Sequence, residues 1–158
     1  MSYIIRQAVE ADQPVITAIV RRAGINPFSL HWPRFLVAEE DGQVIGVVQI
    51  KLHGDGSREL ASLAVIPTRQ GQQVGGALVN AILAGERGPL YLMCRDPLEG
   101  YYARFGFSRV DSGQMPSYFR RITRVAGLFT FLSRLAGDPR RGIIMFREAS
   151  ADSENHRS

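Results

Sequence analysis

The spacing of apolar and polar residues changes several times along the chain, and each change marks the border of a predicted element. The first segment, YIIRQA at residues 3–8, predicts a short strand. The next segment, EADQPVITAIVRRAGINP, predicts a helix. We expect Asp12 to cap this helix, Pro14 to lie in its first turn and Gly24 to end it.

The middle of the chain has the pattern of a β-hairpin followed by a third strand. Two apolar runs in FLVAEEDGQVIGVVQIKL are joined at Asp41-Gly42, a dipeptide that readily takes the positive φ of a tight turn. The segment HGDGS predicts the next turn. The segment RELASLAVI after it predicts a buried strand that ends at Pro67.

The second half of the chain continues to alternate helices and strands. Its predicted elements are a helix over residues 74–84, a strand at PLYLMC, a short helix around residues 98–105, a strand at FSRV and a final strand at IIMFRE. With the earlier elements this predicts an α/β fold, a mixed central sheet of about seven strands covered by helices. A helical bundle or a β-sandwich would not alternate in this way.

An additional helix is predicted before the last strand. Apolar residues over 117–136 recur at steps of three and four, which places them on one helical face: Tyr118, Ile122, Val125, Phe129, Leu132 and Ala136. Arg120, Arg124 and Arg134 point elsewhere, so the predicted helix is amphipathic and basic. The polar end, ASADSENHRS, predicts a disordered tail over residues 149–158 that follows a single domain over residues 1–148.

Composition limits the function classes. The chain has 158 residues, of which 45% are hydrophobic, enough for the core of one globular domain. Its single cysteine, Cys94, cannot form an intrachain disulfide, and we interpret it as a buried small hydrophobic residue. No signal peptide is recognisable and no apolar run approaches the roughly 18 residues of a membrane span. We therefore expect a cytoplasmic protein without stable membrane insertion.

The loop between the third strand and the following helix has a composition that suggests a ligand. In IPTRQGQQVGG, glycines lead directly into a helix, and such a turn exposes successive N–H groups at the positive end of the helix dipole. This arrangement favours phosphate or pyrophosphate. The loop lacks the Lys-Ser/Thr of a P-loop and the spacing of a dinucleotide fingerprint, so neither class of nucleotide site is indicated.

The order of elements, the stretch LAVIPTRQGQQVGGALV and the later YYARFGF together resemble the GCN5-related N-acetyltransferase (GNAT) family, which binds acetyl-coenzyme A. The family's loop has Arg or Gln, two residues, Gly or Ala, one residue, and Gly or Ala. Gln70, Gln73 and Gly75 occupy these places here. Gln73 departs from the pattern: a positive φ there would cost about 1 kcal/mol more than with Gly, unless the loop keeps a negative φ.

The resemblance implies a binding site for the acyl donor. Leu63, Ala64 and Val65 correspond to the strand whose main chain hydrogen-bonds the pantetheine arm. The N–H groups expected to bind the pyrophosphate belong to Gln70, Gly71, Gln72, Gln73, Val74, Gly75 and Gly76.

The resemblance also implies two catalytic residues. Glu59 corresponds to a carboxylate that acts as the base toward the acceptor amine, often through water; alternatively, it forms a salt bridge with Arg58. Tyr102 corresponds to the tyrosine that protonates the departing thiolate, for which a phenol is chemically suited; alternatively, it belongs to the aromatic core, where we also place Phe105 and Phe107. The oxyanion donor is expected to be a main-chain N–H near Ala64.

The acceptor amine is expected to bind opposite coenzyme A, between INPFSLHWPRF and residues 111–141. The candidate contacts are Asn26, Ser29, His31 and Trp32, each of which is also an ordinary loop residue. His53, Asp55 and Ser57 could reach the same cleft, although a turn explains them equally well. The three histidines are scattered and have no cysteine partners at ligand spacing, so no metal site is expected.

The positive charge of the predicted helix over residues 117–136 is compatible with several roles. The net charge is +4, and nine arginines fall over residues 104–147 against two acidic residues. The helix could be a lid over the acceptor, a dimer contact through Phe129 and Leu132, or an anchor on anionic lipid; we prefer the first two. No stacking pattern or zinc-finger spacing supports nucleic-acid binding.

The sequence thus predicts an acetyl-CoA-dependent N-acetyltransferase acting on a small-molecule amine. A lid that carries Arg120, Arg121 and Arg124 would favour an anionic acceptor such as an amino acid. The alternative from another class is a non-catalytic acetyl-CoA sensor, for which Gln73 is the only support.

Overall fold

The computed structural model describes residues 2–133 and 142–149. Within these residues seven strands form one mixed sheet, and four α-helices pack around it, with helices on both faces. Positions 134–136 of the predicted basic helix and positions 150–158 of the predicted tail lie outside the described residues. The elements are β1 (Ile4–Gln7), α1 (Gln13–Arg22), β2 (Phe35–Glu40), β3 (Gln43–Leu52), β4 (Arg58–Val65), α2 (Val74–Ala84), β5 (Leu90–Arg95), α3 (Glu99–Ala103), β6 (Ser108–Arg109), α4 (Ser117–Ser133) and β7 (Gly142–Arg147).

The strands lie in the order β1-β2-β3-β4-β5-β7-β6, and every neighbouring pair is antiparallel except β4 and β5. The parallel pair has only two residue pairs, Glu59 with Tyr91 and Leu60 with Leu92. Beyond these positions the two strands are no longer paired. The sheet is therefore split between β4 and β5 toward their carboxyl ends, and the predicted seven-stranded α/β fold is confirmed.

A bulge redirects β4 next to this split. The register between β3 and β4 shifts between Val47 and Gln49, and Ser62 on β4 has a φ of 56°. The buried Gln49 amide donates a hydrogen bond of 2.9 Å to the Ser62 hydroxyl. A bulge bends its strand and increases the local twist, so it helps to separate β4 from β5.

The sheet is covered by α2 on one face and α1 on the other. On β3, Val48 packs in the cluster that contains the α2 residues, whereas Val47 packs in the cluster that contains the α1 residues. This alternation follows from the twofold period of a strand. All the buried side chains of α2 are apolar, and this helix begins and ends at the residues that the sequence predicts.

The ends of α1 differ in how well they follow the prediction. Gly24 has a φ of 68°, its N–H donates to the Arg21 carbonyl, and the Ile25 N–H donates to the Val20 carbonyl, which is a Schellman ending. Asp12 is the N-cap residue of α1, as predicted, but its side chain forms no capping hydrogen bond with this helix. Its carboxylate instead accepts hydrogen bonds from the Val9 N–H and from Arg6.

The buried face of α4 also differs from the predicted one. Phe119 is fully buried and its ring lies 5.2 Å from that of Tyr91 on β5, on the α1 side of the sheet. Val125, which the pattern placed on the buried face, is 55% exposed. No helix among the described residues has the length and hydropathy required to cross a membrane.

The loop before α2 contains the residue that departs from the family pattern. Gln73 has a φ of 64° and is the residue immediately before α2, so the alternative in which the loop keeps a negative φ is excluded. Gly71 in the same loop has a φ of 75°. The left-handed conformation costs a non-glycine residue about 1–2 kcal/mol, so the protein carries backbone strain at Gln73.

Asp12→Asn should destabilise the folded protein by about 1 kcal/mol near neutral pH, because Arg6 then loses one of its two carboxylate partners and keeps only Glu39, at 2.6 Å. Hydrogen bonds from Arg6 lower the pKa of Asp12. The carboxylate therefore stabilises the fold above the ordinary pKa of Asp, and this stabilisation is lost as the pH falls through the lowered value. Urea unfolding should show the difference from wild type shrinking below about pH 4.

The matched control for this measurement is Asp41→Asn in the hairpin turn. Asp41 is exposed and Asn accepts the same left-handed backbone, so its free energy of unfolding should change by less than about 0.5 kcal/mol. Equal stability of Asp12→Asn and wild type at neutral pH would contradict the assigned role of the pair.

Gln73→Gly should stabilise the protein by about 1 kcal/mol, because glycine adopts a positive φ without steric cost. The neighbouring Gln72 has no positive φ, so Gln72→Gly should destabilise the protein by increasing the entropy of the unfolded chain. Urea unfolding of both variants provides the comparison. A Gln73→Gly variant that loses as much stability as Gln72→Gly would show that the backbone at position 73 is not strained.

Candidate functional site

A cavity of about 790 Å³ lies where the Gly-rich loop enters α2. Six of the seven residues predicted to bind pyrophosphate line it; the exception is Gln72. The remaining lining residues come from the position before β1, the end of β4, the turn after it, α2 and the α3 region: Tyr3, Val65, Arg69, Ala77, Asn80, Tyr101, Arg104 and Phe105.

The main chain of this loop presents hydrogen-bond donors to the cavity. The first helical hydrogen bond of α2 runs from the Ala77 N–H to the Gln73 carbonyl, 3.0 Å, so the N–H groups of Val74, Gly75 and Gly76 precede the helical ladder. They also lie at the positive end of the helix dipole. Three free N–H groups at the N-terminus of a helix form a binding site suited to a negatively charged group.

A side chain at position 75 would be crowded. A Cβ there would lie 3.1 Å from the Tyr101 hydroxyl and 3.7 Å from Val65. The loop itself is braced by side chains, since the Gln70 amide donates to the Val65 carbonyl at 3.0 Å and the Gln72 amide donates to the Thr68 carbonyl at 3.2 Å. The side chain of Gln72 is thus a support of the loop.

Two arginines that were not predicted as site residues, Arg69 and Arg104, line the cavity, and the charge of Arg69 is balanced by a carboxylate. Arg69 is paired with the buried carboxylate of Glu40 at 2.6 Å. Arg104 lies over the rings of Tyr101 and Phe105, 4.7 and 5.4 Å from their centroids, and forms no ion pair with the described residues. The signal for Arg104 was its place inside YYARFGF, next to the aromatic residues on which it stacks.

A second cavity of about 760 Å³ occupies the split between β4 and β5. It includes Leu63, Ala64 and Val65, as the resemblance implies, and Met93, Cys94 and Arg95 on the opposite side. Val65, Gln70, Gly75 and Tyr101 line both cavities. The two cavities therefore form one groove from the start of α2 to the split sheet.

Tyr102 lies in this second cavity and is the polar side chain best placed for chemistry there. The residue is only 9% exposed, and its hydroxyl has no hydrogen-bond partner among the described residues. Burial raises the pKa of Tyr102 well above its ordinary value, and Tyr101 and Cys94 raise it further. The phenol is therefore protonated near neutral pH and available as a donor toward the groove.

Cys94 also lines the groove and is only partly buried, so its interpretation as a buried core residue is only partly correct. Its sulfur lies 3.8 Å from that of Met145. Burial raises the pKa of the thiol to about 11, which keeps it protonated. Phe107 is 2% exposed and belongs to the core as predicted, whereas Phe105 lines the groove.

Glu59 lies on the α1 side of the sheet, directly before the split. Leu60 packs in the α2-side cluster, so the preceding side chain points to the opposite face. The Glu59 carboxylate lies 2.7 Å from His53 Nε2, and both side chains are buried. Arg58 is paired with Glu86 instead, which excludes the predicted alternative of an Arg58–Glu59 salt bridge.

The residues proposed to contact the acceptor follow α1 in the chain but do not line the groove. Asn26 accepts a hydrogen bond from the Phe28 N–H, Ser29 has a φ of 60°, and the Trp32 ring packs on the α1-side core. His31 lies next to Trp32, with 6.4 Å between their ring centroids. The part of this region that reaches the groove is Ala23, Gly24 and Ile25.

Lys51, which the sequence reasoning did not single out, holds the same region to the sheet. Its ammonium donates a hydrogen bond of 3.0 Å to the Phe28 carbonyl, and Lys51 is the residue opposite Glu59 in the β3–β4 register. Desolvation lowers the pKa of Lys51. Among the described residues no cluster of three metal-ligating side chains occurs.

Comparison with known structures supports the fold assignment. The N-acetylglutamate synthase of Neisseria gonorrhoeae, solved with coenzyme A and N-acetyl-glutamate, is 24% identical with a TM-score of 0.74 over 96% of this chain and 36% of that chain. The ribosomal-protein-S18-alanine N-acetyltransferase of Escherichia coli is 20% identical with a TM-score of 0.67 over 99% and 100% of the two chains. The PaiA N-acetyltransferase of Thermoplasma acidophilum, solved with coenzyme A, is 18% identical with a TM-score of 0.58 over 94% and 99%.

The chain thus spans about a third of the length of the Neisseria enzyme. No curated protein matches the sequence significantly. The family model described as Acetyltransferase (GNAT) domain matches residues 31–109, half of the chain, which include β4, the Gly-rich loop, α2 and α3. With the split sheet and the loop at the start of α2, this match shows that the chain belongs to the GNAT acetyltransferase family.

Proposed function

We propose that this protein is an acetyl-CoA-dependent N-acetyltransferase that acts on an amine of a small molecule. The observation that carries the proposal is the continuous groove from the N-terminus of α2 to the split between β4 and β5. One end of the groove has the donors for a pyrophosphate. The other end has a buried phenol without a partner among the described residues.

The residues of the groove fit coenzyme A along its length. The N–H groups of residues 74–76 and the cation of Arg104 are suited to the phosphates. Beyond Leu60, β4 has no pairs with β5, so its main chain at Leu63, Ala64 and Val65 can hydrogen-bond the amides of an extended pantetheine chain, as an added strand would.

Three groups of this chain have roles in the proposed transfer. Bound acetyl-coenzyme A supplies an activated acetyl group as a thioester. The Glu59 carboxylate takes a proton from the acceptor amine, directly or through water, as nitrogen bonds to the acetyl carbon. A main-chain N–H near Ala64 donates to the acetyl oxygen, and Tyr102 gives its proton to the sulfur as the carbon–sulfur bond breaks.

The acceptor that we propose is a small amine that carries a negative charge, such as an amino acid. The Neisseria enzyme was solved with N-acetyl-glutamate, an acetylated amino acid. In this chain, Lys51 lies opposite Glu59 on β3, and Arg120, Arg121 and Arg124 of α4 are exposed without side-chain ion pairs to the described residues. These cations favour a carboxylate on the acceptor.

Gly75→Glu should abolish binding of acetyl-CoA, because the substitution places a carboxylate among the donors proposed for the pyrophosphate. Calorimetric titration with acetyl-CoA measures the effect. The matched control is Gly88→Glu, which adds the same charge at a position with open space outside the groove and should bind as wild type does. Tight binding by a folded Gly75→Glu protein would remove the loop from the proposed site.

Tyr102→Phe should lower kcat for acetyl transfer by roughly 10²-fold, since the proton donor to the sulfur is lost. Its affinity for acetyl-CoA should not change. Turnover is measured with four acceptors, L-glutamate, L-alanine, ethylamine and a peptide that begins with alanine; alanine and ethylamine differ only in the carboxylate. The unchanged affinity for acetyl-CoA is the internal control, because it shows that the Tyr102→Phe protein is folded and that only the transfer step is affected.

Binding of acetyl-CoA by wild type without transfer to any of these amines would favour the non-catalytic sensor. Unchanged kcat in Tyr102→Phe, with transfer to at least one amine, would assign the thiolate's proton to another donor.

A further inference from the structure

Glu59, the proposed base, is enclosed by residues from two segments, the turn over residues 53–57 and the start of α4. His53 and Glu59 have side chains that are only 8% and 9% exposed, and His53 Nε2 lies 2.7 Å from a Glu59 carboxylate oxygen. Among the described residues, His53 is the only group that hydrogen-bonds this carboxylate. Because an ionised carboxylate can only accept, His53 has its proton on Nε2 and acts as the donor.

The imidazole ring of His53 is fixed on several sides. The Tyr118 ring stacks on it with 3.5 Å between centroids and 14° between planes. The Phe119 ring meets it edge to face at 5.6 Å and 87°. The His53 main-chain N–H donates to the Ser57 carbonyl at 2.9 Å. These contacts prevent the ring from turning away from Glu59.

The aromatic residues of α4 are held to the same turn that carries His53. One Asp55 carboxylate oxygen accepts hydrogen bonds from the Tyr118 N–H at 2.7 Å and from the Ser117 hydroxyl at 3.2 Å, so Asp55 caps α4 from a distant part of the chain. The other oxygen accepts from the N–H and the hydroxyl of Ser57, at 3.0 and 2.6 Å. The turn over residues 53–57 and the start of α4 therefore form one unit around the imidazole.

We propose that His53 is a positioning residue for acyl transfer: its Nε2–H holds the Glu59 carboxylate in the orientation that receives the proton of the acceptor amine. This role rests on the proposed function, in which Glu59 is the base. His53 keeps its own proton throughout, and the proton from the amine goes to Glu59. The ring contacts of α4 set the direction of the hydrogen bond, which gives this helix a role in the active site.

Two substitutions separate the hydrogen bond from the ring packing. His53→Phe keeps an aromatic ring against Tyr118 but has no donor for Glu59. His53→Gln loses the ring, but its amide nitrogen can donate to the same carboxylate oxygen. Glu59→Gln provides the reference for loss of the base. The double variant His53→Phe with Glu59→Gln tests whether the two residues act as a unit.

The measurement is kcat and KM with acetyl-CoA and the fastest acceptor among L-glutamate, L-alanine, ethylamine and the peptide that begins with alanine. His53→Phe should lower kcat at least tenfold, since small misplacement of a catalytic group can cost as much as 10²-fold. The KM for acetyl-CoA should stay unchanged, and His53→Gln should recover most of kcat. The double variant should be no slower than Glu59→Gln alone.

Wild-type kcat in His53→Phe would overturn the proposal. It would also be overturned if His53→Gln, folded and binding acetyl-CoA normally, were as slow as His53→Phe, because the ring and not the hydrogen bond would then matter. An unchanged kcat in Glu59→Gln would overturn both this role and the assignment of the base. The proposed function itself is contradicted if the wild-type protein binds no acetyl-CoA or acetylates none of the four acceptors. This result is obtained before any variant is compared.

Discussion

The parting of β4 and β5 is the constraint on which the groove depends. Parallel strands gain stability from each added pair, yet these two share only the pairs at Glu59 and Leu60. The bulge at Ser62 bends β4 at this point, and the Gln49 amide supports the bulge from the neighbouring strand. The oxygen of the Gln49 amide is buried without a partner among the described residues, and a polar atom buried in this way costs about 1–3 kcal/mol of stability.

A second feature that lowers stability lies at the other end of the groove, in the backbone of the loop before α2. Gln73 has a left-handed backbone, which glycine adopts without steric cost, at the residue immediately before α2. The first three residues of α2, which follow it, line the cavity. Because the N–H donors of these residues belong to the main chain, the side chains at positions 70 and 72 can brace the loop without weakening the site. A glutamine at position 73 is therefore compatible with the donor arrangement, and its effect is expected on stability rather than on the shape of the binding site.

Local patterns were sufficient for most elements of the fold. The bounds of α2 and the turn at Asp41-Gly42 depend on residues close in sequence, and both were predicted correctly. The place of the first cavity was predictable, because a glycine-rich loop leads directly into α2 and six of its seven named residues line that cavity. Their role as donors to a ligand stays a prediction. The partner of Glu59 was not predictable, since the choice between Arg58 and His53 depends on the direction of side chains across a turn. The pairing of the Asp12 carboxylate with Arg6, instead of with the N–H groups of α1, likewise depends on the direction of side chains.

The segments that surround the groove and those that surround Glu59 come from different parts of the chain. The matched GNAT region over residues 31–109 contains β4, the loop and α2, and hence all the main-chain groups proposed for coenzyme A. Helices α1 and α4 lie outside that region, and both cover the opposite face of the sheet, where the Glu59 side chain points. Asp55 and His53 connect α4 to the matched region through a cap and a stacked ring. The groups proposed for coenzyme A therefore lie in the region that matches the family model, whereas the face toward which Glu59 points is covered by helices outside that region. We expect acceptor specificity to depend on residues of α1 and α4.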